Sequence, residues 1–248
     1  MNIFCYENPD LLGKAAAAHT AKLLNAAIAE RGEARLLLST GASQFDTLRH
    51  LVKENVDWSK VTMFHLDEYV ALPESHPASF RKYLKERVVA NLPVPFKKAY
   101  FVDGEGDVEK NIAALTDAIR TAPIDVGLIG IGENAHIAFN DPPADFDTKV
   151  AYLTVNLNDT CKRQQVGEGW FKTEDDVPKQ AISMSCYQIM QCRSIISCVP
   201  YAVKANAVKA TLTSPLTNTV PATLLKEHSD FTLYIDRDSA ALTDIKPQ

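Results

Sequence analysis

Short apolar runs alternate with long amphipathic ones along the whole chain, and this alternation narrows the fold more than any other feature. The runs at 2–6, 34–39, 61–66, 99–102, 125–131, 194–199 and 230–235 have the length and the β-branched or aromatic content of strands. Between them, 10–31, 43–55, 78–91, 107–121 and 201–212 repeat apolar residues at helical spacing. In the first of these, Leu12, Ala15, His19, Leu23 and Ala27 are expected on one buried face, with Pro9 and Asp10 starting the helix. Strands apolar over most of their length must be covered on both sides. The pattern therefore predicts an α/β fold: a doubly wound, mostly parallel, Rossmann-like sheet with helices on both faces. With 248 residues, 46% of them hydrophobic, and no repeat or linker, a single domain over 1–248 is expected. One irregular, lid-like stretch is expected at about 140–180, where Pro142, Pro143, Gly167, Gly169 and the acidic run 174–176 fall.

Charge and cysteine content remove several classes of function. A net charge of -5 leaves no broad basic surface for nucleic acid, although a local anion site needs only a few groups. Five cysteines with no CxxC or His/Cys spacing read as reduced thiols in a cytoplasmic compartment, with no metal site. No leader-like start and no run of 18 apolar residues is present, so neither export nor a membrane partner is expected.

In a doubly wound sheet, ligands bind beyond the carboxyl ends of the strands. Three segments fall there. Ser39-Thr40-Gly41-Ala42-Ser43 lies between a strand and a helix, where free N–H groups favour a phosphate, or where Ser43 is simply an N-cap. Asp67 and Glu68 follow the strand 61–66 and place a carboxylate at the rim, as a base or as a turn cap; His65 before them is expected in the core. The third segment, LIGIGENAHIAFNDP at 128–142, opens like a dinucleotide turn with Gly130-x-Gly132-x-x-Ala135. Pro142-Pro143 cuts off the helix such a turn needs, and no acidic residue ends a second strand about 20 positions on. What remains is a glycine turn holding His136 between Asn134 and Asp141, an arrangement in which an acidic partner fixes the tautomer of a proton-transferring imidazole.

Together the three loops resemble the glucosamine-6-phosphate deaminase/isomerase family, which shares its fold with the 6-phosphogluconolactonases. The segment STGAS resembles that family's phosphate loop, LDEYVALPESHPASF its Asp-Glu-Tyr segment, and GIGENAHIAFNDP its histidine loop. The resemblance implies aldose–ketose isomerisation with deamination of an amino-sugar 6-phosphate, and no metal or organic cofactor. It implies Asp67, Asn134, His136 and Asp141 as catalytic residues, and Gly41, Ala42, Ser43, Glu68, Lys204 and Arg163 as substrate ligands. A homo-oligomer is compatible with it. Departures are visible too: Asp141 stands for a longer Glu, Ala135 for a glycine, Gln44 for a proline, and Gly169-Trp170-Phe171 for Arg-Phe-Phe. Arg163 or Lys172 is the expected substitute for the missing arginine. The alternatives are a galactosamine 6-phosphate enzyme, a lactonase, disfavoured by HIAFND and LDEY, and a non-catalytic sugar-phosphate sensor.

Overall fold

The computed structural model describes residues 1–248. Ten strands form: β1 (Asn2–Tyr6), β2 (Ala34–Leu38), β3 (Val61–His65), β4 (Asp67–Tyr69), β5 (Lys98–Ala99), β6 (Val126–Leu128), β7 (Tyr152–Asn156), β8 (Gln180–Met184), β9 (Ser194–Val199) and β10 (Phe231–Asp236). The helices are α1 (Pro9–Arg31), α2 (Phe45–Leu51), α3 (Phe80–Arg87), α4 (Val108–Ile119), α5 (Asp159–Gly167), α6 (Cys186–Ile189) and α7 (Ala205–Thr213). Seven strands make one sheet in the order β1-β10-β9-β6-β2-β3-β5, every pairing parallel. The expected α/β sheet is therefore present. Its central strands bury both faces, as the all-buried β2, β6, β9 and β10 show.

One face packs α1, α2 and α3 through Leu12, Leu24, Leu48, Leu51 and Leu84. On the other face lie α4, α6 and α7, represented by Leu115, Ile119, Ile189 and Val208. Asn8 caps α1 by accepting the Leu11 N–H, and Pro9 follows at the first helical position, where no N–H is needed. The buried stripe of α1 differs from the expected one: Ala16, Ala17, Thr20, Ala21 and Leu24 are buried beside Leu12 and Ala27, while Ala15, His19 and Leu23 are half-buried. Alanines on every side of this helix give its periodicity little contrast.

A second sheet was not foreseen. Strands β4, β8 and β7 pair antiparallel, with Asp67 opposite Ser183 and Leu153 also opposite Ser183. Residues 140–180, expected to be irregular, carry β7 and α5. Beneath α5 a third core cluster gathers Tyr69, Phe80, Phe139, Cys161 and Phe171. His65 is fully buried as expected; its Nε2 accepts the Val102 N–H at 2.7 Å, and burial together with the Arg81 charge pushes its pKa down to about 3. No helix is long and apolar enough to cross a membrane.

Candidate active site

The strand order reverses direction between β2 and β6, leaving a crevice above their carboxyl ends. A pocket of about 150 Å³ opens there, and it is lined from four adjacent strand ends. Residues 39–43 follow β2, Leu66 and Asp67 follow β3, Gly130–Gly132 follow β6, and Tyr201, Val203 and Lys204 follow β9. Gln164, Gln165, Glu168 and Trp170 close it from the α5 side. Asp67 and His136, expected from separate loops, face this one cavity, and Gly41, Ala42, Ser43 and Lys204 face it with them.

Asp67 is 7% exposed. Burial, reinforced by the charge of Glu68, pushes its pKa up to about 8. A carboxyl in that range exchanges protons near neutral pH.

His136 is placed by a turn that requires glycine. A Cβ on Gly132 would lie 2.2–2.4 Å from the imidazole ring, so only a residue without a side chain lets the ring pack there. Ala135 takes φ 64, the left-handed conformation its expected glycine counterpart would adopt without strain. Asn134 Oδ1 accepts from the backbone N–H of His136 at 3.1 Å and lies 2.6 Å from Nδ1. Asp141 Oδ1 lies 3.2 Å from the same Nδ1 and accepts from Asn134 Nδ2 at 3.0 Å, so the shorter carboxylate does reach the ring. With two acceptors against it, Nδ1 is the nitrogen that holds a proton, so in the neutral ring Nε2 is the acceptor turned to the pocket. Burial would raise the Asp141 carboxyl, but the bonds from His136 and Asn134 outweigh it and hold its pKa below the ordinary range.

One end of the pocket is built from two helix starts. Gly41, at φ 97, leads into a turn over Ala42–Gln44 that runs into α2, and Ala202–Lys204 runs into α7. The first N–H groups of such turns have no partner within the helix. Gln44, in the proline position, is buried and donates to Ser43 Oγ at 3.0 Å and to the Cys198 carbonyl at 3.2 Å, bracing the loop. Lys204 is 7% exposed, forms no ion pair, and burial lowers its pKa.

Two expected ligands lie elsewhere. The Glu68 carboxylate is fully buried and accepts the N–H groups of Tyr69, Phe80 and Arg81, the Ser79 hydroxyl, and Nε of Arg81. The positive start of α3 draws this carboxylate away from the pocket. Arg163 is exposed on α5, where it donates to Thr160 Oγ1, and Lys172 is exposed as well. Neither replaces the missing arginine, and Lys204 is the one Lys or Arg in the lining. Sequence reasoning named Ser39 and Thr40 only as part of the first loop, and it missed Glu133, Gln164, Gln165, Glu168, Trp170 and Tyr201. For these six the available signal was weak, because polar residues beyond a strand or over a pocket read as solvated surface.

Comparison with known proteins identifies the family. Residues 7–234 match the family model described as glucosamine-6-phosphate isomerases/6-phosphogluconolactonase. A glucosamine-6-phosphate deaminase of Lactobacillus delbrueckii subsp. bulgaricus is 32% identical over 243 residues, 98% of this chain and 99% of that protein. One from Listeria monocytogenes is 35% identical over 213 residues, covering 85% of this chain and 88% of the relative. A solved structure of a monomeric glucosamine-6-phosphate deaminase superposes with a TM-score of 0.90 at 28% identity, over 98% of this chain and 100% of that one. The 6-phosphogluconolactonase of Trypanosoma brucei, at 16% identity and a TM-score of 0.79 over 97% of each chain, shares the fold. The chain belongs to the family of glucosamine-6-phosphate isomerases and 6-phosphogluconolactonases.

Proposed function

We propose that the protein deaminates and isomerises an amino-sugar 6-phosphate, most simply glucosamine 6-phosphate to fructose 6-phosphate and ammonia. The observation that carries this reading is the convergence of Asp67, His136 and Lys204 on one small cavity. Relatives named for the same reaction, matching nearly the whole chain, support it.

Lys204, the amides of the 41–43 turn and the Ser43 hydroxyl would hold the phosphate; Ser43 Oγ already accepts from Gln44, so its own proton is available for a ligand. His136, with Nδ1–H fixed by Asn134 and Asp141, presents Nε2 as the base that takes the proton of the anomeric hydroxyl and returns it to the ring oxygen, opening the pyranose. Asp67 then removes the C2 proton of the open aldose. The electron pair forms the C1–C2 double bond as the carbonyl pair moves to O1, and a proton passes through water from the C2 ammonium to O1 to give the enolamine; Asp67 then returns its proton to C1, and water adds to the resulting C2 iminium as ammonia leaves. Every acid and base in this sequence is a protein side chain or water.

Ammonia release separates this reading from a lactonase and from a non-catalytic sensor, and turnover compared on glucosamine and galactosamine 6-phosphates separates the two amino-sugar readings. Asp67→Asn is expected to lower kcat on the order of 10³-fold while sugar phosphate still binds; unaltered turnover in that variant would reject the assignment. The wild-type acid limb of kcat/KM is expected near pH 8, where the free carboxyl titrates, and that of kcat lower, because a bound ammonium favours the carboxylate. Stability gives an independent check. A carboxyl with a folded pKa above its unfolded one retains its proton longer in the native state, so stability is lost as pH rises from about 4 to about 8. At about 1.4 kcal/mol per pH unit of displacement, the Asn variant is more stable than wild type above pH 8 and little different at pH 4.

A further inference from the structure

Of the two glutamines that α5 contributes to the pocket lining, one is committed to a protein partner through its N–H and the other is not. Gln164 donates from Nε2 to Glu168 Oε1 at 2.8 Å. Gln165 is the more deeply placed of the pair, 6% exposed. Asn158 caps α5 by accepting the Cys161 N–H at 2.8 Å, and Cys161 with Gln165, one turn further on, forms the buried face of the helix.

On that face Gln165 Oε1 accepts the Tyr69 hydroxyl at 2.6 Å. Tyr69 is fully buried among Phe80, Phe139 and Phe171, and Oε1 is the one acceptor its hydroxyl meets. A buried phenol proton without an acceptor is costly, so Tyr69 decides which end of the planar amide turns toward it. With Oε1 held there, Nε2 points the other way. It has no acceptor within the protein and is not sealed in the core, so the pocket that Gln165 lines is the space onto which this donor opens.

We infer that Gln165 is a substrate-binding residue whose Nε2 donates to an oxygen of the bound ligand, and that Tyr69 is its positioning residue. The inference rests on the sugar-phosphate reading of the site. In such a ligand the hydroxyl, carbonyl and phosphate oxygens accept, whereas the C2 ammonium only donates and is excluded as the partner. An amide already fixed by a buried hydroxyl gives up little freedom when the ligand arrives, so the contact is not offset by ordering a long side chain.

The test measures the dissociation constant of fructose 6-phosphate by calorimetric titration, together with the urea midpoint, in wild type, Gln165→Leu, Tyr69→Phe and the double variant. Gln165→Leu is expected to weaken binding about tenfold and to lower the midpoint, since the Tyr69 hydroxyl is left buried without an acceptor. Tyr69→Phe releases the amide and weakens binding about threefold. In the double variant two apolar groups face each other, so the midpoint returns most of the way to wild type. Binding stays about tenfold weak there, because the donor is still missing. Affinity that recovers along with stability, or Gln165→Leu that binds as tightly as wild type, overturns the inference and leaves the deaminase reading intact as long as wild type releases ammonia. A wild type that neither binds fructose 6-phosphate nor releases ammonia from either amino-sugar phosphate removes that reading, and the inference with it.

Discussion

The two sheets are joined through the backbone of Leu66 and contribute different groups to the pocket. Leu66 donates its N–H to Leu38 in the parallel sheet at 3.1 Å, and its carbonyl accepts from Met184 in the antiparallel sheet at 2.8 Å. On the parallel side, the loops after β2 and β9 present amides, hydroxyls and Lys204. On the antiparallel side, β4 carries Asp67, and β8 latches the His136 loop: Ser183 Oγ accepts the Phe139 N–H at 3.0 Å and the Met184 carbonyl accepts from Asn140 Nδ2 at 2.8 Å. Asp67 thus lies on the small sheet, and the loop that carries His136 out of β6 is pinned to it, whereas the strand ends after β2 and β9 are the ones that would grip a phosphate under the proposed reading. Substitutions on the two sides should consequently fail in different ways, one in rigidity and turnover, the other in binding.

The largest effect is expected at Glu68. Removing it by Glu68→Ala strips Arg81 of a buried partner and leaves the start of α3 without its acceptor. Breaking a buried pair from one side costs about 3–5 kcal/mol, to be read as a fall in the urea midpoint. Arg81 retains Asp103 and Glu105, both half-exposed, so the lower end of that range applies. A stability change below about 1 kcal/mol would mean that the small sheet is not the rigid frame the comparison makes it.

The asymmetry between the sheets also governs what could be read from the sequence. Parallel strands buried on both faces are continuous apolar runs, and β2, β9 and β10 were located to within a residue. Strand β7 has only a partly buried, alternating pattern, β4 is three residues long, and β8 pairs with both across long sequence separations. Local propensity has little hold on such elements. The site divides in the same way. Residues within local motifs, such as Asn134, His136 and Asp141, were legible, and so was Lys204 through the family resemblance. Glu68 was misplaced because the helix that claims it begins 12 residues later at Phe80. Arg163 was misplaced because which face of α5 meets the pocket is set by packing on the third core cluster, not by the type of residue.

On the binding side, Lys204→Met is the next expected effect. KM should rise about 10- to 100-fold with kcat changed less than threefold, since a phosphate contact remote from C1 and C2 is made equally in ground and transition states. The sign of the stability change sharpens the test. Burying an unpaired ammonium is unfavourable, and a methionine of similar length removes that cost, so the variant unfolds at a higher urea concentration. Loss of stability together with loss of affinity would instead assign Lys204 a structural partner and break the distinction between the two sheets.

The smallest effect, at Ser39, divides the two roles most cleanly. The residue is 4% exposed, lines the pocket next to the 41–43 turn, and has a hydroxyl without a partner. A buried donor left unsatisfied costs about 1–3 kcal/mol, which a ligand oxygen would recover on binding. Ser39→Ala deletes the donor and keeps the shape, so the empty protein gains stability, or at least loses none. If a phosphate oxygen accepts from that hydroxyl, KM for the sugar phosphate rises about three- to tenfold in the same variant, equivalent to about 0.7–1.4 kcal/mol. Affinity and stability then move in opposite directions from one atom removed. A frame residue would lower both and an idle one would leave KM unchanged, so only the opposed pair of changes places Ser39 among the groups that the parallel sheet holds ready for the ligand.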